Sequence, residues 1–313
     1  MTDTSPKLWH TGQAIVDIVM TVEAVPTPGS DVMASSTEHH VGGGFNVMTA
    51  ARRYGMRVVY AGGHGIGPMG ERVREALRSE DVILASDTDQ HGDSGFCVAL
   101  IDGQGERTFV SQAGVESRID IETLDAVPLM AQDWIYVSGY SLAYADKAAP
   151  LLDWLDSLTR DIPVVFDPGP MLARIVPTLL EQLLPRITLW SSNADETRQF
   201  TGIVGLDESL SMIAHRLSET ARIVVRDGPR GCWLREAGKA ELIAGFPSEA
   251  IDTNGAGDAH TGVLIAALAE GVSLHDACVA ANAAAAIAVS RRGPATAPHR
   301  EELERYLMTH RAS

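Results

Sequence analysis

Asp252-Thr253-Asn254-Gly255-Ala256-Gly257-Asp258 heads an apolar helical stretch, and these residue types in this order suit the transfer of a phosphoryl group. The small residues Gly255, Ala256 and Gly257 leave the first amides of a helix uncovered, and such a terminus is a ready anion site. Asp258 follows in the first turn. There a carboxylate can take the proton of an attacking hydroxyl while the amides neutralise charge on the moving phosphate. A tight entry turn with a dipole-favoured Asp has the same composition, so the run alone leaves both readings open.

A second glycine site lies far upstream. Val41-Gly42-Gly43-Gly44-Phe45-Asn46 precedes a helical segment that closes at Gly55, a natural C-cap. Backbone bared at Gly42 and Gly43 can approach a ligand closely, and Asn46 offers a donor and an acceptor to a polyol. By itself this site also reads as a flexible turn with a local cap.

Together the two sites resemble the signatures of the ribokinase-like (PfkB) carbohydrate kinases. Gly42, Gly43, Gly44, Asn46, Gly55 and Gly65 fit the upstream signature; Asp252 to Asp258, with Gly262, fit the downstream one. The resemblance runs from Gly12 to Arg291-Arg292-Gly293. Met48, His260 and Val263 depart from the usual residues, and none of them touches the base or the anion cradle. His260 reads as a helix residue facing the sheet rather than a proton-transfer group.

The resemblance implies an ATP-dependent kinase acting on a primary hydroxyl of a small sugar or sugar derivative. Asp258 would be the base and Gly255, Ala256 and Gly257 the anion hole; Asp17, Gly42, Gly43 and Asn46 would hold the sugar. Asp17 ends the first expected strand, and open α/β sheets bind ligands beyond the carboxyl ends of their strands. Asn193-Ala194-Asp195-Glu196 matches the family's Asn-x-x-Glu element, with Glu196 expected to serve Mg²⁺ through water; an ordinary helix start has the same look. Val225-Arg226-Asp227-Gly228-Pro229-Arg230-Gly231 resembles the nucleotide loop. Gly228 and Gly231 would permit close approach of ATP, with Asn282 in a helix beside the adenine. Asp227 is an awkward neighbour for a triphosphate there, and Arg226 is expected either to compensate or to form an exposed ion pair. Relatives suggest a monovalent cation such as K⁺ near Asp252 and the Arg292-Gly293-Pro294-Ala295 segment.

Positioning these groups requires a regular scaffold. β-rich runs are expected at Leu8–Val16, Arg57–Ala61, Val82–Ala85, Trp134–Gly139, Val164–Asp167, Thr188–Ser191 and Ile223–Val225, alternating with helical segments such as Gly70–Ser79. This rhythm predicts an α/β fold, a doubly wound and mainly parallel sheet with helices on both faces, in a single domain over residues 1–313. Gly95–Ile101 and Glu106–Ser111 flank Asp102-Gly103-Gln104-Gly105, a hairpin turn. With the segment near Val22–Glu38 it interrupts the rhythm, and the resemblance makes these pieces, about 18–40 and 93–114, a small β lid over the sugar.

Composition narrows the class. Of 313 residues, 45% are hydrophobic, enough for a large core, and the formal net charge is −16. No extended Lys/Arg cluster offers a nucleic-acid footprint. Cys97, Cys232 and Cys278 are widely spaced, without metal-ligand spacing, and suit a reducing cytosol. Met1–Lys7 lacks a signal pattern and no stretch reads as a membrane span, so a cytoplasmic protein is expected. An exposed lid edge would favour a homodimer by strand pairing. Two other functions stay open. A nucleoside kinase would use Phe45, Phe96 or Phe109 as a floor, and a sugar sensor would have no need of the base. Phosphate-ester substrates would need a basic pocket, with Arg107 one member.

Overall fold

The computed structural model describes residues 5–119, 121–125 and 128–310; the first four residues, part of the segment read as lacking a signal pattern, lie outside these. The strands are β1 (Lys7–His10), β2 (Ala14–Thr21), β3 (Ser36–Gly43), β4 (Arg57–Tyr60), β5 (Ile83–Leu84), β6 (Phe96–Ile101), β7 (Arg107–Gln112), β8 (Trp134–Ser138), β9 (Val164–Asp167), β10 (Leu189–Asn193), β11 (Arg222–Arg226), β12 (Gly231–Glu236) and β13 (Lys239–Ala244). Nine of them form one sheet in the order β13-β12-β11-β10-β9-β8-β1-β4-β5. It is parallel from β5 to β11 and antiparallel at β12 and β13.

Two hydrophobic cores flank this sheet, and the strand sequences assign residues to them by alternation. Val165, Leu189 and Val224 pack on one face with the helices Phe45–Tyr54, Ala256–Ala269 and Leu274–Val289. Their neighbours Phe166, Trp190 and Val225 pack on the other with the helices Ala145–Ser157 and Leu206–Arg216. A strand covered on both faces therefore reads as an unbroken apolar run, as β9 does with Val-Val-Phe. The doubly wound sheet is the expected one.

The small sheet has the order β3-β2-β6-β7, with β2 and β6 parallel and the rest antiparallel. Its hairpin turns where expected: the Asp102 amide donates to Glu106 O at 3.1 Å, and Gly105 takes φ +83°. One expectation is corrected. Leu8–Val16 is not one strand. β1 ends at His10, and the Thr11 amide donates to Tyr136 O at 3.1 Å as the chain leaves the large sheet. It re-enters order at Ala14 as β2 of the small sheet, where the Ala14 amide donates to the Tyr60 hydroxyl at 3.0 Å. Asp17 therefore lies inside a lid strand, not at the end of the first central strand. The lid strands start at Ala14 and reach Gly43, beyond the expected 18–40.

Among the described residues no helix is long and apolar enough to cross a membrane.

Candidate active site

The helix Ala256–Ala269 begins where the motif predicts. Gly255 caps it with φ +74°, and a Cβ there would lie 1.8 Å from Pro294 O, so only glycine can make this entry. First-turn amides of a helix have no carbonyl a turn behind them; here the Ala256 amide closes the entry turn by donating to Thr253 O at 3.3 Å. Asp258 lies in that turn. Asn46 Nδ2 donates to its Oδ2 at 2.9 Å, joining the two glycine sites across 212 residues of sequence.

Helix packing makes this contact. Gly262, one turn beyond Asp258, lets the helix Phe45–Tyr54 come close: a Cβ on Gly262 would meet Val47 O at 2.5 Å and Ala50 Cβ at 2.6 Å. Asn46 is buried, and its Oδ1 has no hydrogen-bond partner among the described residues. That leaves an acceptor beside the base. Burial pushes the Asp258 carboxyl up to about 6; Asn46 opposes the shift and the charge of Asp167 adds to it.

Asp17 pairs in register with His40 and Cys97, and Gly42, two residues on from His40, lies on the same side of the small sheet. A Cβ at Gly42 would sit 2.1 Å from Asp17 Oδ2, so a bare backbone opposite the carboxylate is a steric requirement. Gly43 takes φ +64°, with Gln13 O 3.1 Å from where a Cβ would be. Burial raises the Asp17 carboxyl to about 6, with His40 opposing. Burial raises the Tyr140 hydroxyl above its ordinary range, and the charges of Asp258 and Asp17 add to the shift. Tyr140 was not anticipated; it follows the end of β8.

The last residues of β9, β10 and β11 are Asp167, Asn193 and Arg226. Arg226 is not an exposed ion pair but largely buried: its Nη1 donates to Asp167 Oδ2 at 2.9 Å, to Ser191 Oγ at 2.7 Å and to Thr261 Oγ1 at 2.7 Å. Its Nε lies 3.4 Å from where a Cβ on Gly257 would be, so the guanidinium abuts the cradle. Glu196 Oε2 is 3.7 Å from Arg226 Nη2. Asp167 was missed as well, although its place at the carboxyl end of a central strand was the available signal.

Asn193 and Glu196 form a complete capping box. Asn193 Oδ1 accepts from the Glu196 amide at 2.8 Å, and Glu196 Oε2 accepts from the Asn193 amide at 2.8 Å. The helix-start reading of this motif is thus realised. Burial and the charge of Asp167 nonetheless lift the Glu196 carboxyl to about 7, with Arg226 opposing. Asp167 and Glu196 set two carboxyls on one guanidinium, and the charge of Asp258 adds to the shift of Glu196, an excess of negative charge that fits a water-shelled Mg²⁺ brought by a nucleotide. Asp195 instead pairs with Arg198 on the surface at 2.5 Å.

Other expected residues fall less directly into the site. Gly228 takes φ +58° with open space around its Cβ position, as a ligand loop requires. Gly231 takes φ +102°, but a Cβ there would strike Ile243 O at 2.1 Å, so its close approach is to β13. Asn282 Nδ2 donates to Ile243 O at 3.0 Å and Ala244 O at 3.1 Å. These bonds tie its helix to β13, so the Asn282 amide donors are committed within the fold. Asp227 turns its charge to Arg230 at 2.9 Å. His260 is buried in its helix, as read. Asp252 does not fit a monovalent cation through its carboxylate: Oδ1 accepts from Arg107 at 2.7 Å and the Asn254 amide at 2.9 Å, and Oδ2 from the Gly293 amide at 3.1 Å.

Comparison with known proteins bears on this geometry. The pfkB family carbohydrate kinase model matches residues 5–300. The chain is 32% identical over 295 residues to the uncharacterized sugar kinase YegV of Escherichia coli, covering 93% of this chain and 91% of that protein. Its fold is similar to that of ribokinase from Giardia lamblia, with TM-score 0.85 at 18% identity, covering 98% of this chain and 100% of that one. It is also similar to Arabidopsis thaliana ribokinase complexed with ribose and ATP, with TM-score 0.79 at 20% identity, covering 97% and 99%.

Proposed function

The chain belongs to the pfkB family of carbohydrate kinases, which makes it an ATP-dependent sugar kinase, and on that premise we propose that it phosphorylates a primary hydroxyl of a small, uncharged sugar or sugar derivative. The observation that carries the proposal is Asp258, a base aligned by Asn46 at the mouth of a glycine-lined helix terminus.

In this reading the sugar lies between the small sheet and the cradle. Asp17 accepts its hydroxyls, the Gly42–Gly43 backbone gives it room, and Asn46 Oδ1 accepts one more. The free oxygen of Asp258 takes the proton of the attacking hydroxyl, and Asn46 holds the other oxygen in place. The first-turn amides and the Arg226 guanidinium neutralise the transferred phosphoryl group, and ATP lies along the loop at Gly228. Mg²⁺, carried by the nucleotide and screened by Glu196 and Asp167 through water, supplies further charge neutralisation when bound. A complex of ribose and ATP with a ribokinase of the same fold supports the pairing of ligands.

Arg107, one member of the basic pocket a phosphate-ester substrate would need, is engaged with Asp252, which supports an uncharged substrate. Among the floors weighed for a nucleoside, Phe45 is in the core, Phe96 packs against it and Phe109 is 60% exposed. A nucleoside kinase is therefore the second reading. A sensor without activity would not retain a positioned base. Three buried free cysteines support a reducing, cytoplasmic setting. β7, an edge strand exposed throughout, supports homodimer formation through the lid.

The test is ADP release with Mg·ATP across ketoses, aldoses, sugar acids and nucleosides. Asp258→Asn is expected to lower kcat by roughly 10²–10⁴-fold while sugar affinity stays within a few-fold. The base must be ionised, so kcat/KM should fall below a pKa near 6 and level off above it. Near-normal turnover in Asp258→Asn would sink the proposal.

A further inference from the structure

Arg107 opens β7 at the edge of the lid sheet, and its Nη2 leaves that sheet to reach Asp252 Oδ1 at 2.7 Å. Asp252 begins the turn into the cradle. Its carboxylate also receives the Asn254 amide of that turn and the Gly293 amide of the loop behind it. That loop continues to Pro294, whose carbonyl packs against Gly255 at the head of the catalytic helix. A single carboxylate therefore joins three pieces: the lid, the cradle turn and the wall behind the cradle. Burial alone would raise the Asp252 carboxyl, but the Asn254 amide, Arg107 and the Gly293 amide hold it below its ordinary range. A monovalent cation placed there would have to share this carboxylate with a guanidinium of its own charge.

We infer that Arg107 is a positioning residue that latches the lid onto the cradle and balances Asp252, the role otherwise left to a monovalent cation. The inference rests on the kinase reading only for its effect on turnover. Arg107 touches no reacting atom. Its planar fork holds one carboxylate at a fixed distance, so the lid strand cannot close without bringing the cradle turn into register with it. Closure over the sugar and alignment of the anion hole become one event. The chain then needs no K⁺ for that event, because the fixed charge arrives with the lid.

The latch can be judged without turnover. Hydrogen exchange of residues 96–112 and thermal unfolding would be measured with Mg·ADP in potassium chloride and in tetramethylammonium chloride at equal ionic strength, for wild type, Arg107→Gln and Arg107→Lys. Wild type is expected to behave alike in both salts. Arg107→Gln should exchange roughly 2–5-fold faster along β7, as loss of a partly exposed ion pair allows. It should also gain a potassium-specific rise of about 2 °C in Tm, as a newly bound ion would give. Arg107→Lys should restore most of the exchange protection, and a general loss of folding would instead lower Tm equally in both salts and in both variants. Potassium-specific stabilisation of wild type, an unchanged exchange rate in Arg107→Gln, or no potassium response in that variant each overturns the inference. With a substrate in hand, Arg107→Gln in tetramethylammonium should lose about tenfold in kcat with the KM for ATP little changed, because closure rather than binding is impaired. Silence of wild type across the substrate panel would count against the kinase reading and leave the exchange and melting results to decide the latch.

Discussion

At the scale of the residue, the site sets function against stability. Asp17 is half-buried beside a glycine backbone, and its carboxyl is raised to about 6 from 3.8. In the unfolded chain it would ionise near the lower value. Below that pH the carboxyl is neutral in both states. As pH climbs toward 6 the unfolded state releases its proton first, and the folded state loses the corresponding stability. Asp17→Asn should therefore stabilise the ligand-free protein at pH 8 by about 1–3 kcal/mol, with the difference shrinking toward zero at pH 4. The same variant should bind sugar at least tenfold more weakly, having lost a charged acceptor. Thermal unfolding across pH, with and without sugar, measures both. A wild type that melts higher than Asp17→Asn at pH 8 would mean that a partner for the carboxylate has been overlooked.

At the scale of the element, the Asn46–Asp258 pair depends on how closely two helices approach. Asn46 reaches Asp258 because Gly262 lets the helices Phe45–Tyr54 and Ala256–Ala269 touch backbone to side chain. Gly262→Val would drive a branched side chain against Val47 O and Ala50, a small-to-large change in a packed core. The expected loss of stability is about 1–3 kcal/mol, with a much larger loss of kcat as the Asn46–Asp258 bond opens. Urea unfolding and turnover, measured together, separate the two effects. A variant that loses stability but keeps kcat would show that the bond is dispensable. Leu8–Val16 looked continuous because both of its halves are apolar, and an apolar run carries no mark of the sheet it joins. The break at Thr11–Gln13 is set by bonds to Tyr136 and Tyr60, which lie in other strands.

At the scale of the whole molecule, a net charge of −16 surrounds a site built to receive a polyanion. On the proposed function, the local amides and Arg226 attract ATP at short range, while the surface field repels it on approach. Salt screens the long-range part first, since the Debye length falls to about 8 Å at physiological ionic strength. Raising tetramethylammonium chloride from 20 to 150 mM should thus raise kcat/KM for Mg·ATP by roughly 2-fold or more. A steady decline over that range would mean that the cationic groups near the cradle dominate even at a distance.

The sequence by itself determined the parts whose chemistry is local. Asp258 at a helix head, glycines at 255 and 257, and the Asn193–Glu196 spacing each depend on residues within a turn of one another, and a helix or a tight turn reports that in its spelling. The alternation of strand-like and helix-like segments likewise predicted a sheet with helices on both faces, where two cores lie. The tertiary structure alone decided which distant residues meet. Asp167 and Arg226 are 59 residues apart, and their pairing follows from strand order, which no local pattern encodes. The structure also moved Asp17 from a central strand into the lid, gave Asn282 to β13, and set Arg107 on Asp252. In each case a polar side chain within reach of several partners was committed by packing, because burial leaves a hydrogen-bonding group only the partners that the fold brings to it.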